Sequence, residues 1–306
     1  MKKMKSIILN VGSLAIMIGL ITSCDYVNNA IPPSTEAGGT TGVVGVDVTD
    51  SIVSSNPSQR KAMVEDYTGH KCGNCPAAAQ ELTTLEGTYP NKIVPIAVHA
   101  GYFAKVAGTY TTNFQTVEGD AYDIQFGNSA AGNPNGLINR VGCQIAAGGI
   151  KQWSSWNSAI ASVIAIPAKF QIKLKYKYNT GSLLLNTAVT VKSLAANAGI
   201  YKVVVVLTED SIIKEQQDYS KPIGSQFITN YEFNHVLRGS INSTWGDAIF
   251  ASGAALNTSE TITNSNFQIN TGFVPKKCHV VAYIYDADAS SSTHYEVLQA
   301  EEIELK

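Results

Sequence analysis

Two hydrophobic periods follow one another along this chain, and the change falls near residue 167. Upstream of it, residues 60–67 (RKAMVEDY) read as a strand, and 93–98 (IVPIAV) is a short, nearly all-apolar run of the kind a parallel sheet buries on both faces. Between them, residues 77–86 are strong helix formers. Pro76 is tolerable in a first turn, and Gly87 and Pro90 mark the exit. Strand, helix and strand predict a right-handed βαβ unit. Further helices are expected over 117–126 and over about 150–165, where Trp153, Trp156, Ile160 and Ile164 recur at intervals of three and four.

After Pro167 the period becomes two. Phe170, Ile172, Leu174, Tyr176 and Tyr178 alternate with Gln171, Lys173, Lys175 and Lys177, which describes a half-buried strand. Asn179-Thr180-Gly181 turns it into a partner over 183–192, and strands are expected at 200–208, 266–270, 278–286 and 294–304. Repeated strands with turn signals and little helix point to an all-β antiparallel sandwich over 167–306. The lysine row reads as its solvated face, with an adhesive patch as the alternative.

The N-terminus has its own grammar. Lys2, Lys3 and Lys5 precede an apolar run, residues 7–21, that stops at Ile21-Thr22-Ser23-Cys24. A spanning helix needs about 20 apolar residues, so the run is short for an anchor, and it reads as a secretory signal with a bacterial lipobox. Cys24 is then the lipidated mature N-terminus, holding the protein to a membrane through its acyl chains. An ordinary signal peptide or an uncleaved anchor are the alternatives. Residues 25–58, rich in Gly, Ser, Thr, Asn and Pro, read as a tether, with one edge strand at 43–48 as the competing reading.

The 306 residues suffice for about two domains at roughly 100 to 200 residues each. Lys plus Arg number 22 and Asp plus Glu 24, a formal charge of −2, which disfavours nucleic acid as a partner. The five cysteines, Cys24, Cys72, Cys75, Cys143 and Cys278, are too few for a disulfide scaffold and too scattered for a four-thiolate zinc site. No cofactor and no metal are expected. Cys143 and Cys278 could bond to each other or stay as two buried thiols.

The informative pair is Cys72-Gly73-Asn74-Cys75, at the start of the first helix. Unpaired amides and the helix dipole there favour a thiolate, and His70 and Lys71 add positive charge, so Cys72 is expected below the free-thiol value of about 8.5. Cys75, one turn on, would resolve a mixed disulfide. Zinc would need two more ligands, with His70 and His99 the nearest candidates, and a redox or disulfide pair is the reading preferred over metal. Gly132-Asn133-Pro134-Asn135-Gly136 needs a sharp reversal, which a cis prolyl bond supplies; an ordinary turn proline is the alternative. Asn133 would offer backbone groups to a bound peptide by strand-like pairing. His99, ending the second strand, falls on the edge where α/β sheets carry their sites, either to move protons or as a structural cap.

Residues 66–75 resemble the strand, turn and helix of thioredoxin-fold proteins, with Asp66 six residues before the first cysteine, where they often carry a buried acid. Residues 132–139 are similar to the segment in which those proteins set a cis-proline opposite the dithiol. Lys71 stands where they usually have Trp. The resemblance implies a thioredoxin-like α/β domain over 59–166, followed by the antiparallel sandwich domain. It also implies exchange chemistry carried by Cys72, Cys75, Asp66 and Pro134, with His70, Lys71, His99 and Asn133 accessory.

More of the chain resembles another family. Tyr67-Thr68-Gly69-His70, Cys72, Asn74-Cys75-Pro76, His99-Ala100-Gly101, Asn133-Pro134, Asn139-Arg140 and Asn234-His235-Val236-Leu237-Arg238-Gly239 are similar to the outer-membrane lipoprotein family named for a twenty-eight-kilodalton antigen of Gram-negative anaerobes. That resemblance spans most of residues 60–306. It implies an outer-membrane lipoprotein, periplasmic or surface facing, with adhesion or receptor roles proposed and no secure enzymatic assignment. Two functions stand side by side. One is thiol-disulfide exchange with protein or peptide thiols and disulfides; the other is adhesion or binding of a surface ligand, with the Cys72-Cys75 disulfide structural.

Overall fold

The computed structural model describes residues 45–53, 58–143 and 148–306. Cys24, the lipobox and the tether as far as residue 44 lie outside the described residues. In the N-terminal half the elements are β1 (Asp47–Val53), β2 (Ala62–Thr68), α1 (Cys75–Thr88), β3 (Ile93–His99), α2 (Gly101–Ala104), α3 (Val117–Phe126), α4 (Asn128–Ala131), β4 (Asn135–Ile138), β5 (Ile150–Gln152) and α5 (Trp156–Ile164). The C-terminal half is built of β6 (Phe170–Asn179), β7 (Leu184–Ser193), β8 (Tyr201–Glu209), β9 (Ile212–Gln217), β10 (Phe227–Phe233), β11 (Val236–Ser240), β12 (Asp247–Ile249), β13 (Ser259–Gln268), β14 (Cys278–Asp286) and β15 (Val297–Glu304).

The expected βαβ unit is present: β2 and β3 are parallel, with Asp66 opposite Ala97 and Thr68 opposite His99, and α1 crosses between them. It is not a free-standing domain, and the expected fold class, a thioredoxin-like α/β domain followed by a separate sandwich, is corrected accordingly. A single nine-stranded sheet runs β15-β14-β8-β11-β3-β2-β4-β5, with β12 also on β8, so strands from both sides of residue 167 share one hydrogen-bonded surface. The join is β11. It runs parallel to β3 and antiparallel to β8, and the Ala97 amide donates to the carbonyl of His235 just before it. Five residues with no two-residue period (VLRGS) leave no strand signature, because β11 is held by neighbours on both edges and not by its own pattern.

Residue alternation assigns the two faces of this sheet. Met63 and Tyr67 of β2, Val94, Ile96 and Val98 of β3, Val204 and Val206 of β8, and Val281 and Tyr283 of β14 join Tyr122 and Phe126 of α3 in one core. On the opposite face, Ala62 and Val64 pack with Ala78, Leu82 and Leu85 of α1 and Trp156 and Ile160 of α5. Val203, Val205, Leu207, Val280 and Ala282 pack with Phe170, Ile172, Leu174, Val189 and Val191 of the four-stranded antiparallel sheet β1-β6-β7-β13. Residues 47–53, expected in the tether, form its edge strand β1, with Ile52 opposite Leu174.

Arg140 anchors the first core. Its guanidinium is fully buried and bidentate to Glu65, Nε to Oε2 at 2.8 Å and Nη2 to Oε1 at 2.7 Å, and Nη2 also donates to the Tyr283 hydroxyl at 3.0 Å. Tyr122, Phe126 and Tyr283 present ring faces to it at 4.7 to 5.1 Å. Nη1 makes no hydrogen bond among the described residues, so the buried charge is held by the Glu65 carboxylate, the Tyr283 hydroxyl and the three ring faces.

Candidate functional site

Each strand of the βαβ unit ends in polar residues on the α1 face. The apolar row Ala62, Val64 continues into Asp66 and Thr68, and Ala97 is followed by His99, so three buried polar groups sit beside the N-terminus of α1. Cys72 and Cys75 are joined by a disulfide there. The helix begins at Cys75; the Cys75 amide donates to the Cys72 carbonyl at 3.2 Å, and Pro76 occupies the first turn, where it costs no hydrogen bond.

The disulfide is covered. Both cysteines are 2 % exposed. The cover is the antiparallel hairpin β9-β10, an element that sequence period did not disclose. Three hydrogen bonds tie it to the Cys-x-x-Cys turn: Gln217 N–H to the His70 carbonyl at 2.8 Å, Tyr219 N–H to the Gly73 carbonyl at 2.8 Å, and the Gln216 amide Nε2 to the Cys72 carbonyl at 2.9 Å. The Tyr219 ring lies against Gly73 so closely that a Cβ there would fall 2.4 Å from it. The composition of 212–233 (IIKEQQDYSKPIGSQFITNYEF) carries the signal that was available: Lys221-Pro222-Ile223-Gly224 is a turn between two strand-length segments.

Between α1, the ends of β2 and β3, and the hairpin is a cavity of about 660 Å³. Its walls run from exposed Gln80, Thr83, Ser220 and Lys221 down to buried Asp66 and His99, with Cys75, Asp218, Tyr231, Phe233 and His235 between. Burial pushes the Asp66 carboxyl up to about 7, against a smaller opposing pull from His235. His99 is driven down to about 3, first by burial and then by His70 and Arg238, so it is a neutral imidazole, packed on Phe114 and Phe233 at ring separations of 4.8 and 5.6 Å.

The other expected site residues are placed differently. His70 is buried and stacked on Tyr110 at 5.2 Å, with Nε2 3.2 Å from the Lys105 carbonyl, and burial lowers its pKa. Lys71 extends its Nζ over the Tyr102 ring at 4.5 Å. The positive setting expected around Cys72 is therefore not supplied by His70, because a desolvated imidazole stays neutral. The Asn133–Pro134 peptide is cis. With Asn135 opposite Tyr67, Pro134 stands one step farther on, at the end of β2 from which the chain turns toward Cys72, yet neither it nor Asn133 lines the cavity. His235 ties the halves together: Nε2 is 3.5 Å from Glu86 and Nδ1 is 3.4 Å from Asp210, which also meets His279 at 3.3 Å. Cys143 and Cys278 are free thiols, each pushed up to about 12, foremost by burial. Among the described residues no group of three or more His, Cys, Asp or Glu is arranged to hold a metal ion. Asp286 and Asp288, which open a calcium-loop-like sequence, accept from the amides two residues on, as hairpin-tip Asx turns do.

A family model described as outer membrane protein Omp28 matches residues 119–304. The chain is similar in structure to HBP35 of Porphyromonas gingivalis, with a TM-score of 0.59 and 18% identity over 81% of this chain and 76% of that one. A protein of Agrobacterium tumefaciens aligns with 80% of this chain and 94% of its own, at 14% identity and a TM-score of 0.46. No curated protein matches the chain. Among the described residues no helix is long and apolar enough to cross a membrane.

Proposed function

The chain belongs to the Omp28 family of outer membrane proteins, and from that premise we propose that it is a ligand-binding envelope protein in which the Cys72–Cys75 disulfide is a structural staple. The observation that carries this reading is the cover over the disulfide. Exchange requires a thiolate to approach one sulfur in line with the S–S bond. Here both cysteines are buried, and the turn that holds them is bonded three times to β9-β10. The staple fixes the start of α1, which forms one wall of the cleft, and the hairpin forms the other. A binding protein needs that rigidity, because a preformed cleft spares the ligand the cost of ordering its walls.

One observation favours exchange as a second reading: Cys75 lines the same cleft as Asp66, so a displaced hairpin would leave an acid beside the resolving sulfur. A single assay separates the two. Native protein is treated with dithiothreitol, its free thiols are alkylated and counted by mass spectrometry, and insulin reduction is followed in parallel. A structural staple stays oxidised until denaturant is added, and insulin is not reduced. Rapid reduction of the native protein, with insulin turnover, would overturn the structural reading. Lipidation at Cys24 is part of the proposal: Cys24→Ala is expected to move the protein from the detergent phase to the aqueous phase in Triton X-114 partition, and unchanged partition would refute the anchor.

A further inference from the structure

The cleft ends on polar atoms that the protein leaves unpaired. Asp66 is 3 % exposed and its Oδ1 has no hydrogen-bond partner; neither ring nitrogen of His99 makes a well-formed hydrogen bond, with only the Ala97 backbone in range among the described residues. Unmatched buried polar atoms cost free energy in the empty protein, so a cleft that keeps two such groups side by side is organised for a guest that supplies donors. The charges narrow the class of guest. Positive groups along the cleft are already matched: Lys221 is 3.7 Å from Asp218, and His235 lies between Glu86 and Asp210. Negative groups are not, since Asp66 and the exposed Glu232 have no ion-pair partner among the described residues. A neutral His99 accepts an N–H at one ring nitrogen and carries no charge to hold an anion. Tyr231 and Phe233 line the cleft between its mouth and Asp66, and Phe233 packs on the His99 ring.

We propose that this cleft binds a small organic cation, a primary ammonium group on an apolar stem, with the ammonium donating to Asp66 and His99 and the stem lying against Tyr231 and Phe233. The assignment rests on the ligand-binding reading above and names the chemistry of its ligand. An ammonium carries three donors and a full charge, so a buried carboxylate and the acceptor nitrogen of an imidazole accept from it together, and the Asp66 oxygen and that nitrogen are thereby matched.

The test is isothermal titration calorimetry at pH 8 with three probes of similar shape: phenethylammonium, 2-phenylethanol and 3-phenylpropionate. One saturable site is expected for the ammonium probe, with the alcohol and the acid at least tenfold weaker. Asp66→Asn is expected to weaken the ammonium probe at least tenfold and to leave the alcohol unchanged. Absence of ammonium binding, equal affinity for ammonium and alcohol, or an unaltered affinity in Asp66→Asn would each overturn the proposal. If Asp66→Asn does not fold by circular dichroism, Thr83→Trp, on the exposed wall of α1, plugs the cleft; it should abolish ammonium binding, and retention of binding would refute the site. The thiol assay above uses no ligand, so its failure is distinct: a reactive disulfide with intact ammonium binding removes the staple and keeps the site, and an inert disulfide with no ammonium binding does the reverse.

Discussion

Replacing Asp66 with Asn should make the protein more stable at neutral and alkaline pH, by an amount the burial of the carboxyl sets. The group ionises near 3.8 when exposed and holds its proton to about 7 in the folded chain. Between those two values the unfolded chain has released the proton and the native one has not, so stability falls as pH rises through that window and stays at the lower level above it. Some three pH units at 1.36 kcal/mol each amount to about 4 kcal/mol. Asn keeps the shape and carries no charge, so its stability lacks this loss. Urea unfolding of both proteins from pH 4 to 8, followed by far-ultraviolet circular dichroism, should give curves that diverge with rising pH. The offset at pH 4 reports changed packing and hydrogen bonding; the growth of the gap by pH 8 reports the buried charge. Two curves that run parallel across the range would show that Asp66 is not desolvated in the native protein, and the unpaired acid at the base of the cleft would go with it.

Gly73→Ala drives a Cβ into the Tyr219 ring at 2.4 Å, so it should destabilise the protein by about 1 to 3 kcal/mol and speed reduction of the disulfide by loosening the hairpin; adding Tyr219→Ala should restore much of the stability loss in thermal unfolding. Glu65→Gln leaves the Arg140 guanidinium buried without its carboxylate, and a loss of about 3 to 5 kcal/mol is expected in urea unfolding, where less than 1 kcal/mol would mean the pair is not sealed. His235 and His279 gain their raised pKa values against the opposing effect of burial, His235 from Glu86 and Asp210 and His279 from Asp210. Their charged forms therefore stabilise the fold fully below about 6.5, and that contribution is lost as pH rises through the folded values. Asp210→Asn should lower both imidazole midpoints in an NMR titration, and unmoved midpoints would remove Asp210 from the network.

Local elements were legible because each follows from side chains near in sequence. The helix 117–126 was expected with the bounds it has, and the β6 row of alternating aromatic and lysine residues shows its inward and outward faces directly. The Cys-x-x-Cys turn, the cis prolyl bond and Asp66 at the end of an apolar strand could likewise be read from the residues, since turn chemistry and strand alternation operate over a few positions. What the sequence by itself determined is thus the locally patterned elements, β2, α1, β3, α3, β6, β7, β8, β14 and β15 among them, and the chemistry at the end of β2. Tertiary structure alone decided that β11 would join the halves into one sheet and that β9-β10 would cover the disulfide. Both decisions depend on partners more than a hundred residues away, Tyr219 to Gly73 among them, and the backbone hydrogen bonds that make them carry no side-chain signature. The same distant packing drew water away from Asp66 and His99. It is therefore burial, which no local pattern encodes, that turned two ordinary residues into the unmatched end of a cleft.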